Sequence, residues 1–177
     1  MKRLLTTIIV ALSVLAAMAP AGAQTEDPIA SIRQHYSQIN RNAAKYRKVK
    51  KDLSGFSEEG GTLVAYFDGP NIMKIVANFY GEGGKSYEEY YYWNGKLIFV
   101  LRKESRYDRP LSGKVVEIKE NRFYFKDDHL IRWIDENAKQ VASDTGEYAE
   151  KQRDYLDSSK QLTEGAHSKK PAIEANP

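Results

Sequence analysis

The stretch Y-E-E-Y-Y-Y-W-N-G-K-L-I-F-V-L-R, Tyr87 to Arg102, decides the fold. Two runs rich in aromatic and β-branched residues flank Asn94-Gly95, and Asn-Gly suits the type I′ turn, which needs positive φ at both central positions. With those two residues as the loop, Tyr92 falls opposite Leu97, Tyr90 opposite Phe99 and Glu88 opposite Leu101. Trp93, Tyr91, Glu89 and Tyr87 then face Lys96, Ile98, Val100 and Arg102 on the other side of the sheet.

Outward from this hairpin the pattern predicts seven strands: Thr62 to Phe67, Asn71 to Tyr80, Ser86 to Trp93, Lys96 to Lys103, Lys114 to Lys119, Arg122 to Lys126 and His129 to Ile134. Turn residues join them, at Asp68-Gly69-Pro70, Gly81 to Gly84, Asn94-Gly95, Glu104 to Gly113, Glu120-Asn121 and Asp127-Asp128. Loops this short connect neighbours, so the expectation is an antiparallel meander. Strict alternation then assigns one face to Met73, Ile75, Ala77, Phe79, Tyr90, Tyr92, Leu97, Phe99 and Leu101, continued by Val116, Ile118, Phe123, Phe125 and Leu130.

A long amphipathic helix is expected to cover that face. Asp27 caps it, Pro28 suits its first position, and Ile29, Ile32, Tyr36, Ile39, Ala43, Tyr46, Val49 and Leu53 recur at three and four until Ser54-Gly55. The basic run Lys45 to Lys51 reads as cations at a helix C-terminus. A shorter helix is expected at about Thr145 to Leu162, where Tyr148, Tyr155, Leu156 and Leu162 share helical spacing. The polar residues 163–177, with Pro171 and Pro177, read as a disordered tail, in which Gly165 has no structural duty.

The second sheet face carries the candidate site. Alternation places Tyr87, Glu89, Tyr91, Trp93, Arg102 and Trp133 there, with Leu63, Lys74, Ile98 and Tyr124. It is too apolar for a solvated face and too charged for a dry core. It is either half covered by the C-terminal helix or used for binding. Glu89 reads as a cross-strand ion pair with Arg102, and Arg122 opposite Trp133 as a cation–π pair.

Residues 1–23 read as a cleaved export signal: Lys2-Arg3, an apolar run from Leu4 to Ala17, then the small residues Ala21-Gly22-Ala23. The expected mature chain is a single domain over 24–162, periplasmic or secreted, with no transmembrane anchor after cleavage. It has no cysteine, so it relies on its core alone. The formal net charge is +3, of which Lys2 and Arg3 supply two, and a chain this balanced does not call for nucleic acid.

Catalytic patterns are missing. No cysteine nucleophile, phosphate-binding Gly-rich loop, His-Glu-x-x-His or Gly-x-Ser-x-Gly occurs, and His35, His129 and His167 stand far apart. No cofactor or metal is expected, since Asp127-Asp128 beside His129 is explained by turn chemistry. Glu88 and Glu89 are adjacent and so point to opposite faces of a strand, which bars them from acting on one substrate. Glu88 alone, on the core face near Tyr90 and Tyr92, is the residue an enzyme would use in a cleft under the first helix.

The string Y-Y-W-N-G-K-L, Tyr91 to Leu97, resembles the hairpin unit of MORN-type repeat proteins, in which an aromatic pair precedes an Asn-Gly or similar turn. The resemblance covers one hairpin, and later hairpins lack its glycine pattern. It implies a β-meander and assigns no functional residue.

The sequence thus predicts an α+β domain: a single antiparallel β-meander of about seven strands with a long N-terminal and a shorter C-terminal helix. The function expected is a non-catalytic envelope binding module that contacts a protein, glycan or apolar ligand through the aromatic face. The alternatives are a small enzyme using Glu88, or a structural subunit adding an edge strand to a partner, with Thr62 to Phe67 as the candidate edge.

Overall fold

The structure is a computed structural model that describes residues 27–175. The segment 1–23 read as an export signal lies outside the described residues. The chain runs α1 (Pro28–Asn42), β1 (Arg47–Ser54), β2 (Gly61–Asp68), β3 (Asn71–Gly81), β4 (Gly84–Trp93), β5 (Lys96–Tyr107), β6 (Val115–Lys126), β7 (His129–Ile134), α2 (Gly146–His167) and β8 (Ala172–Glu174). One sheet of eight strands has the order β7-β6-β5-β4-β3-β2-β1-β8. It is mixed, because β8 lies parallel to β1 while the other pairs are antiparallel. The expected seven-stranded, wholly antiparallel sheet is therefore corrected, as is the relative length of the helices: α1 has 15 residues and α2 has 22.

The N-terminal helix starts as read. The Asp27 carboxylate accepts from the Ile29 N–H at 3.0 Å and Pro28 opens the first turn. It stops at Asn42 instead of Leu53, and Arg47–Ser54 extends as a strand paired with β2. Val49 and Leu53 explain the misreading. A spacing of four fits one face of a helix and, being even, also one face of a strand.

At the other end, residues 163–175 are ordered structure. Leu162, Ala166 and Ile173 are buried in the core. Lys51 on β1 holds this end in place, its Nζ donating to the Ser168 carbonyl at 2.8 Å and to the Lys170 carbonyl, just past the last turn of α2. The expected role of the run Lys45 to Lys51 at the C-terminus of the first helix is corrected: of these residues it is Lys51 that serves a helix C-terminus, that of α2.

The Asn94-Gly95 turn forms with φ of 49° and 74°, and Tyr92 does pair with Leu97. One step further the register slips. Tyr91 pairs with Phe99, leaving Ile98 as a β-bulge, so Tyr90 meets Val100 and Glu88 meets Arg102. The same device recurs in the two neighbouring hairpins. Met73 is left over between Ile72 and Lys74, and Ile131 between Leu130 and Arg132, each at the third residue after its turn. Tyr66-Phe67, Tyr91-Tyr92 and Tyr124-Phe125 occupy equivalent positions before the turns. The hairpin singled out in the sequence is thus one of three built alike, although the glycine pattern is not shared.

Each bulge reverses the alternation that follows it. Ile72 and Ile75, Leu97 and Val100, and Leu130 and Trp133 are three residues apart and still share a face. That face, with Tyr90, Tyr92, Phe123 and Phe125, packs on Tyr148, Tyr155 and Leu162 of α2. The opposite face, with Tyr91, Ile98, Phe99 and Tyr124, packs on Ile29, Ile32 and Ile39 of α1. Strict alternation holds for Ile75, Ala77, Phe79, Tyr90, Tyr92, Leu97, Phe123, Phe125 and Leu130, with Ile75 opposite Tyr90 as expected, whereas Met73, Phe99 and Leu101 are corrected to the α1 face, and the larger core lies under α2. β6 runs unbroken through Glu120-Asn121, where a turn was expected. Asn121 is held extended because its Oδ1 accepts from Trp133 Nε1 at 2.9 Å.

Candidate functional site

The six residues expected on one aromatic face do not share one. Tyr87, Glu89, Tyr91 and Trp93 turn towards α1, whereas Arg102 and Trp133 turn towards α2. Tyr91 is 0 % and Trp133 6 % exposed, and Trp93 stacks on His35 of α1 with ring centroids 3.8 Å apart and planes 17° off parallel. Trp133 pairs with Phe123, and Arg122 lies opposite Ile134, so the expected Arg122–Trp133 contact is replaced by the bond to Asn121.

Glu89 pairs with Lys74 rather than with Arg102. Lys74 Nζ lies 2.7 Å from Glu89 Oε1, 2.8 Å from the Tyr91 hydroxyl and 3.2 Å from Asn40 Oδ1 on α1. Tyr91 donates to Glu89 Oε2 at 2.6 Å, and Tyr87 donates to Oε1. Burial alone would raise the Glu89 pKa, but the bonds from Lys74, Tyr87 and Tyr91 hold it below the usual carboxylate value. Lys74, Glu89, Tyr87 and Tyr91 bond to one another and, through Asn40 Oδ1, to α1, so this set secures the helix to the sheet.

The α2 side differs. An open cleft of about 530 Å³ lies between the Phe56–Glu58 loop, the Gly81 and Gly84 end of β3 to β5, and Ser158 and Leu162 of α2. Phe56 and Phe79 supply its aromatic lining, above Glu88, Tyr90 and Arg102. Glu88 is 7 % exposed. Its Oε2 accepts from the Tyr90 hydroxyl at 2.5 Å and its Oε1 lies 3.5 Å from Arg102 Nε. Arg102 is bonded by its far nitrogen to Glu104.

Burial pushes the Glu88 pKa up, and the opposing pull of Tyr90, Arg102 and Ser86 does not cancel it. The Arg102 Nε, beside Glu88, and the Tyr155 hydroxyl, beside Arg102, are both buried away from solvent. Glu88 was singled out in the sequence, but its setting was missed. The one-residue bulge at Ile98 brings Arg102 directly opposite it, and α2, not α1, closes the cleft.

The histidines stay apart. His35 lies under Trp93, His129 Nδ1 sits 2.7 Å from the Asp127 carbonyl, and His167 packs on Phe67. Among the described residues no group of three or more His, Cys, Asp or Glu side chains is placed to hold a metal ion, and no helix is long and apolar enough to cross a membrane. No family model, no curated protein and no solved structure matches the chain.

Proposed function

We propose that this chain is an exported, non-catalytic binding protein that takes a glycan-like ligand into the cleft over Glu88 and Arg102. The observation that carries the reading is an open cleft that pairs the aromatic Phe56 and Phe79 with the polar groups of Glu88, Tyr90 and Arg102. Aromatic side chains stack on the apolar faces of a sugar, and donors in the lining such as Lys85, Ser86 and the half-buried Arg102 guanidinium satisfy its oxygens. The volume falls within the range of small-molecule sites, about 300–1,000 Å³. Export is proposed on the strength of Lys2-Arg3, the apolar run and Ala21-Gly22-Ala23. The binding face proposed here is the cleft, since α1 covers Tyr87, Glu89, Tyr91 and Trp93.

The test is an NMR titration with three probes: an N-acetylglucosamine disaccharide, maltose and decanoate. Shifts confined to the amides around Tyr90 and Arg102 with a sugar, lost in Phe79→Ala and Arg102→Gln, support the reading. No shift there with any probe overturns it. A second reading, acid catalysis by Glu88, is favoured by the raised pKa of that carboxyl beside Tyr90. Release of monosaccharide during the same titration, abolished by Glu88→Gln, would replace the binding reading with this one.

A further inference from the structure

The outer edge of β6 between Val115 and Asn121 has no strand beside it among the described residues. β7 pairs with β6 only from Arg122 to Lys126, while β5 pairs on the inner side from Val115 to Tyr124 with Val116 left over as a bulge. This half of β6 carries Val116 and Ile118, 48 % and 63 % exposed. By contrast, Thr62 to Phe67, the edge proposed from sequence, lies inside the sheet between β1 and β3.

An open edge with exposed aliphatic residues is a template for strand addition. A lysine on such an edge normally discourages pairing. Here Lys119 follows Glu117 by two residues, on the same face of the strand. That spacing makes the edge complementary to itself.

We propose that two copies of this chain pair antiparallel along this edge, centred on Ile118. In that register Ile118 meets its own counterpart. Glu117 lies opposite the second copy's Lys119 and Lys119 opposite its Glu117, and the regular pairing ends at the Val116 bulge. Opposed residues of an antiparallel pair share a face, so the register moves only in steps of two if each face is to stay together. A step either way places Glu117 on Glu117 or Lys119 on Lys119. Charge therefore selects a single register with twofold symmetry. The groups are available for it. Among the described residues Lys119 makes no ion pair, and Glu117 meets only the exposed Arg106, at 2.9 Å.

The experiment is sedimentation equilibrium of the full purified chain over a wide concentration range, with three exposed-site variants. Wild type is expected to form a concentration-dependent dimer. Glu117→Lys and Lys119→Glu, each of which creates two like-charge pairs, are expected to be monomers with unchanged circular dichroism. The combined Glu117→Lys/Lys119→Glu is expected to regain the dimer, and amide exchange at Val115–Asn121 to slow as the dimer forms. A wild type that stays monomeric at every concentration overturns the proposal, including the case in which a strand from a different protein occupies the edge. So does a dimer that survives both single reversals, or one that the double swap fails to restore.

Discussion

Lys74 and Glu89 stand diagonally across the β3–β4 pair, Nζ 2.7 Å from Oε1, with Asn40 of α1 closing over the lysine. Both residues are buried. Breaking such a pair from one side leaves the other charge without compensation in a low-dielectric setting, which costs about 3–5 kcal/mol.

Lys74→Met is therefore expected to lower stability by that amount. Lys74→Met combined with Glu89→Gln should recover much of the loss, because no buried charge remains, the Gln carbonyl accepts from one of the Tyr87 and Tyr91 hydroxyls and its NH2 donates to the oxygen of the other. Urea unfolding of the four proteins of this cycle is the measurement. Additive losses would show that the two residues do not act as a pair.

Glu88 and Glu89 are neighbours with opposite effects on stability as pH changes. The folded-state pKa of Glu89 is lowered, so the stability it confers is present at neutral pH and is lost as pH falls below the usual carboxylate value towards its folded one. The folded-state pKa of Glu88 is raised, so the folded protein holds that proton longer than the unfolded chain. Its effect is a fall in stability as pH climbs from the usual carboxylate value through the raised one. Glu88→Gln should abolish the second slope, and Glu89→Gln should flatten the first. Denaturant midpoints measured from acid to neutral pH would show each change separately.

Gly95 and Gly165 are needed for different reasons. Gly95 has φ of 74° and open space around it, so Gly95→Ala should cost about 1–2 kcal/mol through backbone strain alone. Gly165 lies in α2, where an added Cβ would stand 2.5 Å from the Cδ1 of Ile173. Gly165→Ala should push β8 off β1 and speed amide exchange at Ala172–Glu174. Adding Ile173→Ala should remove the clash without removing the strand. The sequence reading gave Gly165 no duty, and equal, small effects of both glycine substitutions would restore that view.

Trp93→Ala removes the ring that stacks on His35 and lies over the α1 side of the sheet. The expected loss is about 2 kcal/mol, below that for a fully buried tryptophan. It should come with faster exchange along α1 and no effect on sugar titration of the cleft. A loss of cleft binding with unchanged exchange in α1 would return Trp93 to the ligand-contacting role read from sequence.

Local chemistry made much of this legible. Asp27-Pro28 marked the start of α1, Asn94-Gly95 marked a two-residue turn, and Thr145 stands at the N-cap of α2, where its side chain accepts from the Tyr148 N–H. Each signal acts within a few residues, where side-chain and backbone preferences decide alone. The candidate site was less legible. Glu88 was visible as a carboxylate out of place among aromatics, but Arg102 was assigned to the far face.

The sequence by itself determined the hairpin turns at Gly69-Pro70, Asn94-Gly95 and Asp127-Asp128, the aromatic strands beside them and the helix starts of this protein. The tertiary structure decided which face many side chains serve, because the single residues Met73, Ile98 and Ile131 bulge out of register, so that strict alternation fails across each of them, as at Ile72, Phe99, Arg102 and Trp133. It also decided that Arg47–Ser54 is a strand and that Ala172–Glu174 completes the sheet. Val49 and Leu53 fit a helix and a strand equally, and only the pairing of β1 with β2 and β8, fixed by Lys51 at the end of α2, separates the two.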